Sequence, residues 1–144
     1  MKLLIVYATT EGQTKKICEF LRDKAKKADH EVSLANALEH PSQPKEFDAV
    51  AVGDSLHAEK YQVAVEKYVD ENHKELNKKP GVFISVSLSA ASDEPESLEE
   101  LKKITREFLD KTGWNPTFIE QVAGALRYSK YNFFKKFIMR INSV

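Results

Sequence analysis

The sequence has few cysteines and no long apolar run. Cys18 is its only cysteine, which excludes an internal disulfide and any metal or iron–sulfur site with several cysteine ligands. The first apolar run, residues 3–6, is too short for the core of a signal peptide. No stretch approaches the ~20 apolar residues that a membrane-spanning helix needs. We therefore expect a cytoplasmic protein without a metal, or one bound peripherally to the inner face of the cell membrane.

The chain also lacks net charge, since 22 basic side chains balance 22 acidic ones. It has no long-range field to attract nucleic acid or a strongly charged protein. The charges are nevertheless unevenly distributed, because residues 1–120 carry −5 and residues 121–144 carry +5. The basic residues of that last part are Arg127, Lys130, Lys135, Lys136 and Arg140. Residues 127–144 form a separate basic, amphipathic segment.

Length and pattern predict a single domain over residues 1–144. Continuous apolar runs at residues 3–7, 47–53 and 82–86 are typical of strands buried on both faces of a parallel sheet. Residues 31–36 alternate and indicate a more peripheral strand, and residues 116–126 form the last one.

Helical spacing of apolar residues separates these strands. One helix is predicted after Thr14, a second around Tyr61 to Val69, and a third between Pro95 and Gly113, where glycine is a suitable C-terminal cap. Strands that alternate with helices imply right-handed crossovers. We therefore expect an α/β fold with a doubly wound, five-stranded parallel sheet.

The loop after the first strand is suited to hold a phosphate. It is rich in hydroxyls, contains a glycine and leads into a helix, so that free backbone N–H groups and the positive end of the helix dipole face an anion. It has no lysine or arginine, which suits a monoester held by neutral donors. The alternative is a well-capped helix start. The residues concerned are Thr9, Thr10, Glu11, Gly12, Gln13 and Thr14.

The pattern Tyr7-x-Thr9-x-x-Gly12-x-Thr14 resembles the FMN-phosphate signature of flavodoxins, and it does not match dinucleotide or nucleoside-triphosphate motifs. The resemblance implies a flavodoxin-like fold with strand order 2-1-3-4-5 and FMN as the cofactor. It further implies that two loops enclose the flavin ring. The first holds Ser55, Leu56, His57 and Ala58, and the second holds Ser87, Leu88, Ser89, Ala90 and Ala91.

The chain is more specifically similar to the menaquinone-dependent protoporphyrinogen oxidase branch of this family. The similarity rests on residues 55–58, 83–90 and 122–128. It implies an FMN oxidoreductase of heme biosynthesis that converts protoporphyrinogen IX to protoporphyrin IX and transfers the electrons to menaquinone. The best-known oxidases resemble Ile-Arg-Tyr-Gly where this chain has Leu56-His57-Ala58-Glu59. This departure concerns the porphyrinogen substrate more than the flavin.

His57 is a candidate for proton transfer beside the flavin N5, because the unperturbed pKa of histidine lies near neutrality. The alternative is a histidine that faces solvent or stacks on the ring. The other three histidines have no ligand-like spacing and are predicted to lie on the surface. They are His30, His40 and His73.

The basic segment has an apolar face, which admits two interpretations. A cationic amphipathic helix can lie on an anionic membrane, or it can pack on the sheet. Under the resemblance, Arg127, Tyr128, Lys130 and Lys135 contact the substrate propionates or the membrane. The helix at residues 131–141 either takes the place of the usual final helix of the fold or leaves that helix missing. A missing helix would expose one sheet face and favour a homo-oligomer.

Two other functions are compatible with the sequence. The first is a flavodoxin-type electron carrier, although such carriers resemble strongly acidic proteins and this chain is neutral with a basic end. The second is a flavodoxin-like module without catalytic activity, since a fold alone does not establish a function. The complete phosphate loop argues against the second.

Overall fold

A five-stranded sheet with helices on both faces forms the protein, as seen in a computed structural model that describes residues 1–9, 12–123 and 133–143. The strands are β1 (Lys2–Ala8), β2 (Glu31–Asn36), β3 (Ala49–Ser55), β4 (Gly81–Val86) and β5 (Phe118–Val122). The helices are α1 (Gln13–Lys27), α2 (Val63–Leu76), α3 (Pro95–Thr112) and α4 (Phe133–Asn142). Short 3₁₀ turns lie at Ala37–Glu39, Pro44–Glu46 and Leu88–Ala91.

The strands are all parallel and their order is β2-β1-β3-β4-β5. This order confirms the predicted 2-1-3-4-5 arrangement. The connection from β1 goes outward to β2, and the chain then returns across β1 to β3. The loops after β1 and β3 therefore diverge, and a crevice opens at this point between the carboxyl ends of the strands.

Two apolar cores cover the two faces of the sheet, which explains why β1 is a continuous apolar run. Leu3 and Ile5 face α1 and α4, whereas Leu4 and Val6 face α2 and α3. All four side chains are completely buried. The second core contains stacked and edge-on aromatic rings, namely Tyr61, Phe83, Phe108 and Trp114.

Helix α4 covers the same face of the sheet as α1, so the structure supports the predicted alternative in which this helix takes the place of the usual final helix. Phe137 and Ile141 are 0% and 1% exposed, and Ile138 packs against the same core. This arrangement confirms the interpretation of a helix packed on the sheet, and it removes the reason for predicted self-association through an open face. Residues 131 and 132, which the sequence placed in the helix, lie outside the described residues.

Two further predictions need correction. His30 is not a surface residue: it is 8% exposed, and its Nε2 lies 2.6 Å from Oδ1 of Asn142. It is buried because the end of α4 packs beside the turn that follows α1. Strand β5 covers Phe118–Val122, which is shorter than predicted, and residues 124–126 lie outside the described part. In that part of the chain, no helix has the length and apolar character to cross a membrane.

Candidate functional site

A cavity of about 710 Å³ opens at the carboxyl ends of β1, β3 and β4. Four segments form its wall: the start of α1, the loop after β3, the 3₁₀ turn after β4 and the first turns of α3. Doubly wound parallel sheets bind their ligands at this place. The structure thus brings the three loops predicted from the sequence to one cavity.

The start of α1 presents free backbone donors. Gly12 has φ +86°, which is the left-handed conformation that glycine adopts without strain. Its N–H donates to Oγ1 of Thr9 at 2.9 Å. Because the helix bonding begins with Lys16 N donating to Gly12 O, the N–H groups of residues 13–15 have no intrahelical acceptor. These groups and the helix dipole favour an anion at this end of the helix.

Thr14 supplies a side-chain donor at the same point. Its side chain is completely buried, and its Oγ1 has no hydrogen-bond partner among the described residues. The Oε1 atom of Gln13 is also buried without a partner there. A buried hydroxyl left unpaired is costly, whereas a bound phosphate oxygen would accept its hydrogen bond. Thr9, Gln13 and Thr14 line the cavity, and Thr10 and Glu11 lie outside the described residues.

The loop after β3 forms the second wall with Ser55, Leu56, His57, Ala58 and Glu59. Its tip is a tight turn, in which the backbones of residues 57 and 60 exchange hydrogen bonds of 2.9 and 3.0 Å. The two residues of the turn have φ values of 49° and 65° although neither is glycine. The turn is therefore strained. His57 is exposed, and its ring has no hydrogen bond with the described residues.

The 3₁₀ turn after β4 contributes Ser87, Leu88 and Ser89. Ser87 Oγ accepts a hydrogen bond from the N–H of Ala90 at 3.3 Å, which holds the turn. Ala90 and Ala91 belong to the same turn but do not line the cavity. Leu88 is 90% exposed at the cavity wall, so the site offers an uncovered apolar surface to a ligand.

The sequence analysis missed the part of the wall that α3 contributes. Ser97, Glu100, Leu101 and Ile104 line the cavity, and their spacing of three, four and seven residues places them on one helix face. That spacing could have identified them. Four acidic side chains line the cavity, and none of the described residues that line it is a lysine or an arginine. The acidic residues are Glu59, Glu94, Glu96 and Glu100.

Of the four residues predicted to contact the substrate or the membrane, the one that the structure describes does not line the cavity. Lys135 is exposed on α4 and does not line the cavity. Arg127, Tyr128 and Lys130 lie outside the described residues. Ala123, the last described residue before them, does line the cavity.

A family model for the flavodoxin domain matches residues 4–143. The chain belongs to the flavodoxin domain family. Protoporphyrinogen IX dehydrogenase [quinone] of Escherichia coli (strain K12) is 32% identical over 143 residues, which are 98% of this chain and 78% of that protein. The protein with the same name from Leishmania major is 31% identical over 148 residues, 97% of this chain and 63% of that protein. These relatives confirm the predicted branch.

Solved structures agree with the fold. The flavodoxin from the domain Archaea superposes with a TM-score of 0.67 at 21% identity, and the match covers 99% of this chain and 97% of that one. Membership of this family implies that the protein binds a flavin. The residues fit such a ligand, because the start of α1 supplies anion donors and Leu56 and Leu88 supply apolar surface.

Proposed function

We propose that this protein is an FMN-dependent oxidoreductase of heme biosynthesis that converts protoporphyrinogen IX to protoporphyrin IX and transfers the electrons to a quinone. The observation that carries the proposal is the anion cradle at the start of α1, where the buried Thr14 hydroxyl lacks a partner among the described residues. It occurs in a chain 32% identical to a dehydrogenase named for that substrate and a quinone.

The cradle favours FMN over an unphosphorylated flavin. It has backbone N–H groups, a threonine hydroxyl and a helix dipole at the start of one helix, where they would bind one small anion. Thr9, Gly12, Gln13 and Thr14, together with Thr10 and Glu11, would hold the phosphate. The loops with Ser55 to Ala58 and with Ser87 to Ala91 would enclose the ring.

FMN, when bound, would supply the electron-transfer chemistry, and the protein would orient it and control access to it. Leu56 and Leu88 would exclude water from the ring, since both are apolar and line the cavity. His57 lies on the same wall and is exposed. We assign it to proton transfer beside N5 of the flavin that would be bound there.

The charge of the site bears on the substrate. Two propionates of a porphyrinogen would be repelled by the four carboxylates of the cavity wall. Basic groups must therefore bind the propionates, and we assign this role to Arg127, Lys130 and Lys135, with Tyr128 beside them. Because the apolar face of α4 packs on the sheet, peripheral contact with a menaquinone-containing membrane would use the exposed side of that helix, including Lys135 and Met139.

One observation favours a second function, a flavodoxin-type electron carrier. The acidic wall around the cavity would suit a protein partner with a basic surface. The two functions differ in what reduces the flavin, which is a small tetrapyrrole in the first and a protein in the second. The cradle argues against a module without a cofactor.

Anaerobic absorbance spectroscopy tests the proposal. The protein is loaded with FMN, protoporphyrinogen IX is added, and a menaquinone analogue follows. We expect the oxidised flavin band to bleach with the first addition and to return with the second. A bound flavin that responds to neither would exclude the oxidase and leave the electron carrier, and failure to bind FMN would exclude both. Free FMN with the same additions is the control for reactions without protein.

A further inference from the structure

A fully buried carboxyl lies at the base of the loop that follows β3. Asp54 is 0% exposed, and it follows Val50 and Val52, which belong to the core on the side of α2 and α3. Its Oδ1 accepts a hydrogen bond from the N–H of Gln62 at 3.1 Å. Its Oδ2 has no partner among the described residues. Burial of a carboxyl with one unpartnered oxygen costs free energy, so we looked for a function of this residue in the loop that it joins.

The bond between Asp54 and Gln62 joins the two ends of the loop that carries the second cavity wall. Gln62 Nε2 also donates to Ser55 Oγ at 3.3 Å. Next to Gln62, the Tyr61 hydroxyl is hydrogen-bonded to β4 and α3, through Ser85 Oγ at 2.7 Å and Thr105 Oγ1 at 2.8 Å. Both ends of the loop are therefore fixed, while residues 56–59 between them line the cavity.

The charge state of Asp54 follows from its surroundings. Burial raises its pKa well above the usual value, and the Glu66 carboxylate on α2 raises it further, although backbone groups of Gln62 and Ser55 lower it. In the part of the chain that the structure describes, Tyr61 also faces it, and burial raises the pKa of this tyrosine as well. The native protein thus holds a proton on Asp54 at pH values where the unfolded chain has lost it. Stability must fall as pH rises through this range.

We propose that Asp54 is a positioning residue for the flavin: a neutral carboxylic acid that joins the loop ends and holds residues 56–59 against the ring, so that flavin affinity falls when this carboxyl ionises. The proposal rests on the proposed binding of FMN. Ionisation would strengthen the bond from the Gln62 N–H, but it would also leave charge on the enclosed Oδ2, which has no partner among the described residues. The carboxylate would therefore have to recruit water or move toward solvent, and either change would displace the base of the loop. Neither Asp54 nor Gln62 lines the cavity, so the effect acts through the loop.

Titration of FMN into the protein, followed by flavin fluorescence between about pH 5 and pH 9, tests this role. Asp54→Asn keeps the shape and the acceptor but cannot ionise, whereas Asp54→Ala removes the acceptor. Asp110→Asn, an exposed position on α3, is the matched control. The phosphate of FMN itself titrates in this range, so the readout is the ratio of Kd values between wild type and variant at each pH.

We expect the ratio of wild-type to Asp54→Asn Kd to rise with pH by about fivefold or more, and the control to match wild type throughout. Asp54→Ala should bind FMN about fivefold more weakly at low pH, the effect of one lost hydrogen bond of about 1 kcal/mol. A ratio that stays constant with pH would overturn the proposal, even if Asp54→Ala does not fold. Absence of FMN binding in wild type would overturn this proposal and the cofactor together, whereas FMN binding without porphyrinogen oxidation would overturn only the oxidase.

Discussion

Gly53 on β3 packs against the start of α1, and replacing it with alanine tests the packing behind the proposed phosphate site. A Cβ at this position would lie 2.7 Å from Cys18 Sγ and 3.0 Å from Thr14 Cγ2. Both residues are completely buried and belong to α1. The backbone of Gly53 is not in the left-handed region, so the substitution introduces a steric conflict without backbone strain.

Overpacking of this kind costs about 1–3 kcal/mol. For a chain of 144 residues, each kcal/mol lowers the melting temperature by roughly 3–4 °C, so Gly53→Ala should melt roughly 3–12 °C below wild type. Relief of the conflict requires α1 to move away from the sheet. Because Thr14 moves with it, we also expect the FMN Kd to rise.

A double-mutant cycle separates this conflict from other effects. Cys18→Ala alone creates a small cavity and should cost about 1 kcal/mol, but in the Gly53→Ala background it removes the closest clashing atom. We expect a favourable coupling of about 1 kcal/mol or more, measured by thermal and chemical unfolding. Additive effects within about 0.5 kcal/mol, or an unchanged stability of Gly53→Ala, would refute the assigned packing.

Three further substitutions have outcomes that follow from the structure. Thr14→Val removes a buried hydroxyl that has no described partner, so the unliganded protein should melt at the same temperature as wild type or higher. The FMN Kd should rise about tenfold. A lower melting temperature with an unchanged Kd would contradict the assigned role of Thr14. Ala58 has a φ of 49°, and Ala58→Gly should remove the strain of this left-handed conformation. We expect the free energy of unfolding in denaturant to rise by about 1 kcal/mol, and a decrease would show that the turn is unstrained. His30→Ala breaks the hydrogen bond to Asn142 and should lower the free energy of unfolding by about 1 kcal/mol. In an Asn142→Ala background the same substitution should cost much less, and an equal cost there would argue against the pairing.

The sequence predicts the sheet well because its apolar runs are long and its helices strongly periodic. The strand order came from the resemblance to flavodoxins, since apolar patterns alone do not order parallel strands. The place of Thr9 and Thr14 at the cavity was predictable, because the loops that follow the strands of a parallel sheet lie together at its carboxyl edge. The wall from α3 was missed, although the spacing of Ser97, Glu100 and Ile104 carried the signal.

Burial that depends on distant parts of the chain was not predictable. His30 is buried by a contact with a residue 112 positions away, and nothing near it in the sequence indicates this. Asp54 follows an apolar strand, as an exposed site residue would, and only the packing of α2 shows that it is enclosed. In both cases the local sequence is compatible with an exposed side chain, and the tertiary structure decides.

The position of α4 has a consequence for protein synthesis. Phe137 and Ile141 complete the core of the β1 side chains that face this helix, and they are synthesised more than 130 residues after those side chains. Until then the nascent chain exposes an apolar sheet face, and closing so long a loop is entropically costly. A chaperone that binds extended apolar segments could therefore bind this face until α4 has been synthesised.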